Sequence, residues 1–546
     1  MSRAQIRLYC GFMLGFLALQ LGLTLYAGAL RFDRDAGDML HLADLVLRMT
    51  AGQVPHQDFM TPIGDLAIRP FAVLLSLPTQ FGIRWQIGLG QALLWGQILA
   101  ALVLLPAVIW TGVSRLPLWL ACGFGVAVLG MVTANTYGGS DPNLSLLAHS
   151  NRWAWALTSL VVVLVVVPAR CDRADVRDGL IIGLALAALV LIKADVALAL
   201  LIPVGLGLLI QFRARVMWVG ILAALAVWAG YSLIFGLGYW LAYFYDLSAG
   251  SHSSLRPWPS ASLVQVILSP AYAPASLLAL IGAWLLRRES RGPGLTLLIL
   301  LPAFAHIAFQ NIGNDPIWLL ALAICLLAQL PASGEGPRLG LGGVALGALV
   351  LLSPIMLNLL VSPLRHAFLP RDQYAPVFST PIGADLQILT DYAGPARMAM
   401  PLRVSKDIDP AMQTLFLDRT LPDCTLTAGL IAETRDQAAT LRALKPALQV
   451  QPFVADYLAP HWLFAPLAPL QGGAPWYYEG LPGFANASHL LVPDCPANPS
   501  ARQLILSYVE EIGVGLHEVH QGAGFSLYAI DHAPGTASAA KEDAQD

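Results

Sequence analysis

Eleven apolar runs, each close to the length of a bilayer-crossing helix, recur between residues 8 and 361. They are 8–30, 85–110, 117–135, 151–168, 179–193, 195–211, 216–236, 263–286, 293–310, 316–331 and 339–361. A helix needs about 20 apolar residues to cross roughly 30 Å of hydrocarbon at about 1.5 Å per residue. Runs of this number and length predict an all-α polytopic membrane bundle of about eleven spans. Charge density agrees: only 12% of the 546 residues are charged, against roughly 25% in a soluble domain. That excludes an ordinary soluble enzyme and a disordered chain. The net charge of −3 offers no basic field to a nucleic acid.

Lys193 and Asp195 interrupt the apolar stretch from Gly179 to Ile210. The interruption predicts two short spans joined by a polar turn; one helix with an internal charge pair is the alternative. The first run exceeds the roughly 7–15 apolar residues of a secretory signal and reads as a retained anchor. Arg residues set the orientation. With Arg3 and Arg7 inside, the inside loops hold Arg115, Arg170, Arg173, Arg177, Arg213, Arg215, Arg287, Arg288, Arg291 and Arg338. The outside loops are poorer in Arg. The pattern requires that 66–82, with Arg69, Pro70 and Pro78, lies flat on the outer surface as an amphipathic or re-entrant helix.

Two outside features follow: a long first loop, 31–84, and everything beyond the last span. The chain divides into a membrane module, 1–362, an outer α/β domain, 363–532, and a small, polar, disordered tail, 533–546. In the outer domain, 396–402 and 524–530 read as strands. Helical spacing over 500–513 puts Leu504, Ile505, Tyr508 and Ile512 on one face. Cys424 and Cys495 are the two cysteines outside, and pair as a disulfide or remain two buried thiols.

The first outer loop carries the chemistry. Asp33, Asp35 and Asp38 crowd the end of the first span. They form either a hydrated helix end paired with Arg31 and Arg34, or a set of catalytic carboxylates. Asp38, Leu42, Leu45 and Met49 fit an amphipathic helix that Gly52 ends. Pro55-His56-Gln57-Asp58-Phe59 and Thr61-Pro62-Ile63-Gly64 are polar turns. Carboxylates held by an ordered loop at a membrane surface suit a general base facing a lipid-anchored substrate.

An acidic residue after the first span, a helix, then G-x-x-P-x-x-D-F, a Pro/Gly turn and a juxtamembrane helix resembles the first outer loop of GT-C glycosyltransferases. These include the protein O-mannosyltransferases and the lipid A aminoarabinose transferases. Residues 81–96 resemble the segment that leads into their second span. An Asp33-Arg34-Asp35 sequence replaces the clean acidic pair of some members. The resemblance implies sugar transfer from a polyprenyl-phosphate donor to a lipid, glycan or protein acceptor. It would take place on the periplasmic face of a bacterial inner membrane, with the N-terminus cytoplasmic. Asp33, Asp35 and Asp58 are the implied catalytic acids, and cationic side chains would hold the lipid phosphate.

Lys193, at a helix break facing outside, is the first candidate for that cation, with a snorkelling Lys193–Asp195 pair as the alternative. Arg84 and Arg256 are the next candidates. In the second outer loop, Asp141 and Arg152 could join the site, and Asp141 with Asp35 would be ligands if a divalent ion takes part. The Tyr- and Trp-rich segment 237–262 supplies Tyr243 and Asp246 as sugar contacts, or an interfacial aromatic belt. His56 joins these as a substrate contact. Rival classes are a lipid-linked glycan flippase and a non-catalytic assembly partner.

Overall fold

The structure, a computed structural model, describes all but residues 81–85, 147, 172–173, 256–261, 311–314, 333, 391–398, 402–413, 418, 445–449, 523 and 532–546. Arg84, Arg256 and the expected tail lie outside the described residues. The chain opens with α1 (Arg3–Ala27), α2 (Ala36–Thr50) and α3 (Arg69–Gln80). Next come α4 (Leu89–Arg115), α5 (Leu118–Thr133), α6 (His149–Val166), α7 (Asp175–Ile192), α8 (Ala194–Ile210) and α9 (Ala214–Phe235). Then follow α10 (Gly238–His252), α11 (Leu263–Leu268), α12 (Tyr272–Glu289), α13 (Arg291–Gln310), α14 (Leu319–Ala328) and α15 (Glu335–Ala367).

Every apolar run is helical. The run 263–286 is broken before α12, where Pro270 removes a backbone donor. Among the described residues, α1, α4, α9, α13 and α15 are long and apolar enough to cross a membrane, while α5, α8 and α14 are shorter apolar helices. Lys193, extended at φ −156°, separates α7 from α8. Two helices therefore replace the single continuous one.

The loops gather at two ends. At one end Asp178 of α7 accepts from Arg115, from Arg213 and from the Trp110 indole (2.9 Å). Arg115 and Asp178 are fully buried there. Between the ends, small residues let α7 and α9 touch: a Cβ on Gly183 would lie 2.1 Å from the Gly220 carbonyl oxygen. Gly179 is equally tight, with the Val216 carbonyl oxygen at 2.7 Å. This is the small-xxx-small packing of membrane helices. Gly183→Leu is expected to destabilise the protein by about 1–3 kcal/mol, read as a lowered melting temperature in detergent, whereas Gly230→Leu, in open space on α9, leaves it unchanged.

The strands are β1 (Leu30–Phe32), β2 (Tyr374–Pro376), β3 (Leu386–Leu389), β4 (Ala399–Pro401), β5 (Leu415–Phe416) and β6 (Arg419–Thr420). They continue as β7 (Cys424–Leu426), β8 (Pro452–Val454), β9 (His489–Pro493), β10 (Gly515–Gly522) and β11 (Phe525–Asp531). A four-stranded sheet in the order β10-β11-β9-β8 packs with α16 (Leu430–Leu444) and α17 (Pro499–Ile512). A disulfide joins Cys424 to Cys495. On α17 the buried face is Ala501, Ile505, Leu506 and Val509. Of the four residues expected there Ile505 belongs to it, Leu504 packs partly buried against the same core, and Ile512 is exposed.

The loop after α1 and the region after α15 share a sheet. β1 pairs in parallel with β3, Leu30 opposite Leu386. The Arg31 amide donates to His366 Nε2 (3.0 Å). The boundary expected after 362 falls inside α15, which runs on to Ala367. The helix α2 is buried nearly all round rather than on one face. The terminal region covers it: Trp462 Nε1 donates to Asp44 (2.9 Å), and Arg48 donates to the Leu470 carbonyl (3.0 Å).

Candidate active site

The turn after β1 places two carboxylates differently. Asp33 is fully engaged: its Oδ2 accepts the Leu144 amide (3.0 Å), its own amide donates to the Leu144 carbonyl (3.2 Å), and the Tyr374 hydroxyl donates to Oδ1. It ties the loop after α1 to the loop between α5 and α6 and to the terminal region. Asp35 precedes α2 in the left-handed region (φ 65°) and makes no capping bond. Aspartate is one of the few non-glycine residues that visit this region, as single residues in turns. Its carboxylate is 28% exposed, with Arg34 Nε 3.8 Å away. Burial pushes its pKa above the ordinary carboxylate value, Arg34 opposes this, and Asp141 adds to it.

The loop between α5 and α6 completes the group. Arg34 donates to Asp141 Oδ2, and the Asn143 amide to Oδ1 (3.0 Å). Asn358 of α15 donates to the carbonyls of Gly139 (2.9 Å) and Asp141 (2.7 Å), and itself accepts from Arg365 (2.8 Å). Arg152 does not face the group. It donates to the carbonyls of Ala134 (2.9 Å), Thr136 and Tyr137 (3.3 Å), and so shapes the loop. Beside it, Lys193 donates to Asn151.

A fourth acid joins from between α13 and α14. Asp315 accepts the Gly139 amide, and burial pushes its pKa up to about 6 against that hydrogen bond. Burial raises the Tyr137 hydroxyl, which also feels Asp38, Asp35 and Asp315. The sequence did not single out Asp315, Tyr137, Tyr374 or Asn358. Its only hint at Asp315 was an acid in a short outside loop.

Asp58 stands apart from Asp33 and Asp35. It accepts the Val54 amide (2.7 Å) and the Gln471 side-chain amide (3.0 Å), so it closes a turn and docks the terminal region. His56, at φ 70°, also belongs elsewhere: its Nδ1 is 2.8 Å from Asp246 Oδ2, which accepts the Thr61 amide as well (2.9 Å). Tyr243 packs against the His56 ring (4.3 Å between centroids) and donates to the Val190 carbonyl (2.7 Å). The His56–Asp246 pair lies beyond the C-terminal end of α2, whereas Asp35 lies at its start.

Asp35 and Asp141 both contact Arg34. A cation already lies beside both ligands expected for a divalent ion, and the described residues include no group of three His, Cys, Asp or Glu set to hold a metal.

An apolar groove of about 430 Å³ runs between α11, α12 and α13 to Trp318, lined by Val266, Tyr272, Ser276 and Phe304 among others. At its Tyr272–Trp318 end, the Tyr272 hydroxyl and Trp318 Nε1 are buried without a partner among the described residues. Asp315 acts electrostatically on Tyr272 and accepts, at its backbone carbonyl, the Ile317 amide (2.8 Å). The groove thus reaches Trp318, three residues beyond Asp315, which the Gly139 amide ties to the loop of Asp141.

The chain is similar in structure to ArnT from Cupriavidus metallidurans bound to undecaprenyl phosphate, with a TM-score of 0.40 and 11% identity over 95% of this chain and 98% of that one. It is also similar to the arabinofuranosyltransferase AftD from Mycobacteria, with a TM-score of 0.38 and 14% identity over 98% of this chain. The chain spans 40% of the length of AftD. No family model matches the chain, and no curated protein does either.

Proposed function

We propose that this chain is a multi-pass membrane glycosyltransferase of the GT-C type, which moves a sugar from a polyprenyl-phosphate donor to an acceptor hydroxyl or amine. The observation that carries the reading is the apolar groove that reaches Trp318, three residues beyond Asp315, whose carboxylate accepts the Gly139 amide of the loop that holds Asp141. The groove would take part of a lipid tail, with the phosphate-linked sugar on the side of Asp315 and the loop of Asp141. In the reaction the acceptor atom bonds to the anomeric carbon, and the bond from that carbon to the phosphate oxygen breaks. The phosphate leaves with the electron pair, and the acceptor proton passes to Asp35. Asp141 and Arg34 flank that base, and Asp33 positions the loop.

In this reading the eleven helices of the apolar runs are spans, and the site faces the periplasm of an inner membrane. The region after α15 forms the outer cover, 363–532, and Lys193 stands at the level of the donor phosphate. The packing of α8 against α13 supports the last point. Gly207 meets Thr296 at their far ends, so antiparallel helices place Lys193 level with the end of α13.

The test is native mass spectrometry of the purified protein with added undecaprenyl phosphate. A bound lipid is expected, with its affinity lowered about tenfold by Ser276→Trp, which fills the groove. Absence of any polyprenyl-phosphate adduct on the wild-type protein would overturn the reading.

A further inference from the structure

Residues 216–245 contain no charged side chain. That stretch outlasts the span it begins in. With 22 residues, α9 is about 33 Å long and already covers the roughly 30 Å of hydrocarbon. Gly236, at φ 81°, then turns the chain into α10. The turn brings the start of α10 back beside the last two turns of α9. There Trp240 Nε1 donates to Ser232 (2.9 Å), and its ring stacks with Trp228 (6.4 Å between centroids).

The two faces of α10 differ. Tyr239, Tyr243, Asp246 and Gly250 are buried against protein. Tyr243 donates to the Val190 carbonyl, Asp246 accepts the Thr61 amide, and a Cβ on Gly250 would meet Pro62. The opposite face is the row Leu237, Leu241, Phe244 and Tyr245, each 64–75% exposed, at the spacing of one helical stripe. It continues into Leu233 and Ile234, also exposed, at the end of α9. A contiguous apolar patch of this kind marks an interaction surface.

Continuity with the span says what covers it. Among the described residues, α9 is the least covered by protein of the five helices long enough to cross, with 11% of its most apolar stretch buried. Its bare flank faces lipid, and the row on α10 extends that flank. Trp228, Tyr231, Trp240 and Tyr245 gather at the junction. These are the residue types that collect where hydrocarbon meets water. Toward the other end of α10, Ser251 and His252 are exposed and Ser253 donates to the Tyr478 carbonyl of the terminal region.

We infer that α10 is seated in the bilayer surface. Leu237, Leu241, Phe244 and Tyr245 dip among the acyl chains of the leaflet in which α9 ends, and the last turn of α10 rises from it to the terminal region. Through Asp246 and Tyr243 the same helix holds the turn around Thr61 and the end of α7 at that level. The inference stands independently of the proposed transfer reaction.

Nitroxide labels on Leu241→Cys, Phe244→Cys and Ser251→Cys test it. Each is placed in the full chain, with Cys10, Cys122, Cys171 and Cys325 replaced by alanine, in phosphatidylcholine vesicles. Labels at 241 and 244 are expected to collide more with oxygen, which partitions into hydrocarbon, than with a water-soluble nickel chelate. The expected ratio is several-fold above that of the label at 251. The three sites are exposed, so labelling is expected to leave the melting temperature unchanged. Benzoylphenylalanine in place of Phe244, in an otherwise unaltered chain, gives a second reading: light is expected to attach it to phospholipid. The inference is overturned if 241 and 244 are as open to the nickel chelate as 251, which puts the face in water. It is equally overturned if light joins two copies of the chain instead, which makes the face a protein interface. Should the alanine-substituted chain fail to fold, the photochemical result alone decides.

Discussion

Asp35→Asn is expected to lower sugar transfer by roughly 100- to 10,000-fold, the usual contribution of a positioned general base, with the melting temperature unchanged. Asparagine keeps the shape and the contact with Arg34 but cannot take the acceptor proton. Asp33→Asn is expected to cost less, because Asp33 holds the Leu144 amide and the Tyr374 hydroxyl and acts through the loop. The pH dependence separates the two further. Burial raises the pKa of Asp35, and the base works only when deprotonated. The rate of the wild type therefore falls on acidification at a pH above the ordinary carboxylate value. That limb is expected to persist in Asp33→Asn and to vanish from the residual activity of Asp35→Asn. The measurement is release of labelled sugar from its polyprenyl-phosphate donor across pH. Wild-type rates in Asp35→Asn would remove this residue from the role.

The largest loss of stability is expected from Asp178→Ala, at about 3–5 kcal/mol. The substitution leaves Arg115, fully buried, and Arg213, largely buried, facing each other with no anion between them. Adding Arg115→Met is expected to recover part of that loss, since removing both members of a buried pair costs less than removing one. Thermal unfolding of the two variants in one detergent checks this. Equal melting temperatures for wild type and Asp178→Ala would show that the ion cluster does not hold this end of the bundle.

The two predictions rest on parts of the molecule that were unequally readable. The helices were legible because an apolar run of bilayer length has one stable solution. The break at Lys193 was legible because a charge and an acid interrupt an otherwise uniform stretch. Asp33, Asp35 and Asp141 were legible as acids near the outer end, yet their division of labour was not. Asp33 and Asp35 are two residues apart and differ because only one faces Leu144 and Tyr374. Asp58 illustrates the opposite error. Its neighbour His56 takes a left-handed turn, and Asp58 closes that turn against Gln471 rather than reaching the other acids. Asp315 and Tyr137 were invisible because their loops meet through the packing of α13 and α14 against α6 and of α14 against α5, which no local pattern encodes. The burial of α2 was misread for the same reason: the residues that cover it, Trp462 and Leu470, lie more than 400 positions away.

The parallel pairing of β1 with β3 has a consequence for how the molecule comes into being. Residues 30–32 wait for residues 386–388 before their edge is closed, and Asp33 and Asp35 follow directly on that edge. A nascent chain still on the ribosome, with most of its helices already inserted, holds these two acids on an unfinished strand. The edge that carries Asp33 and Asp35 is therefore completed only late in synthesis, once residues 386–388 have been made.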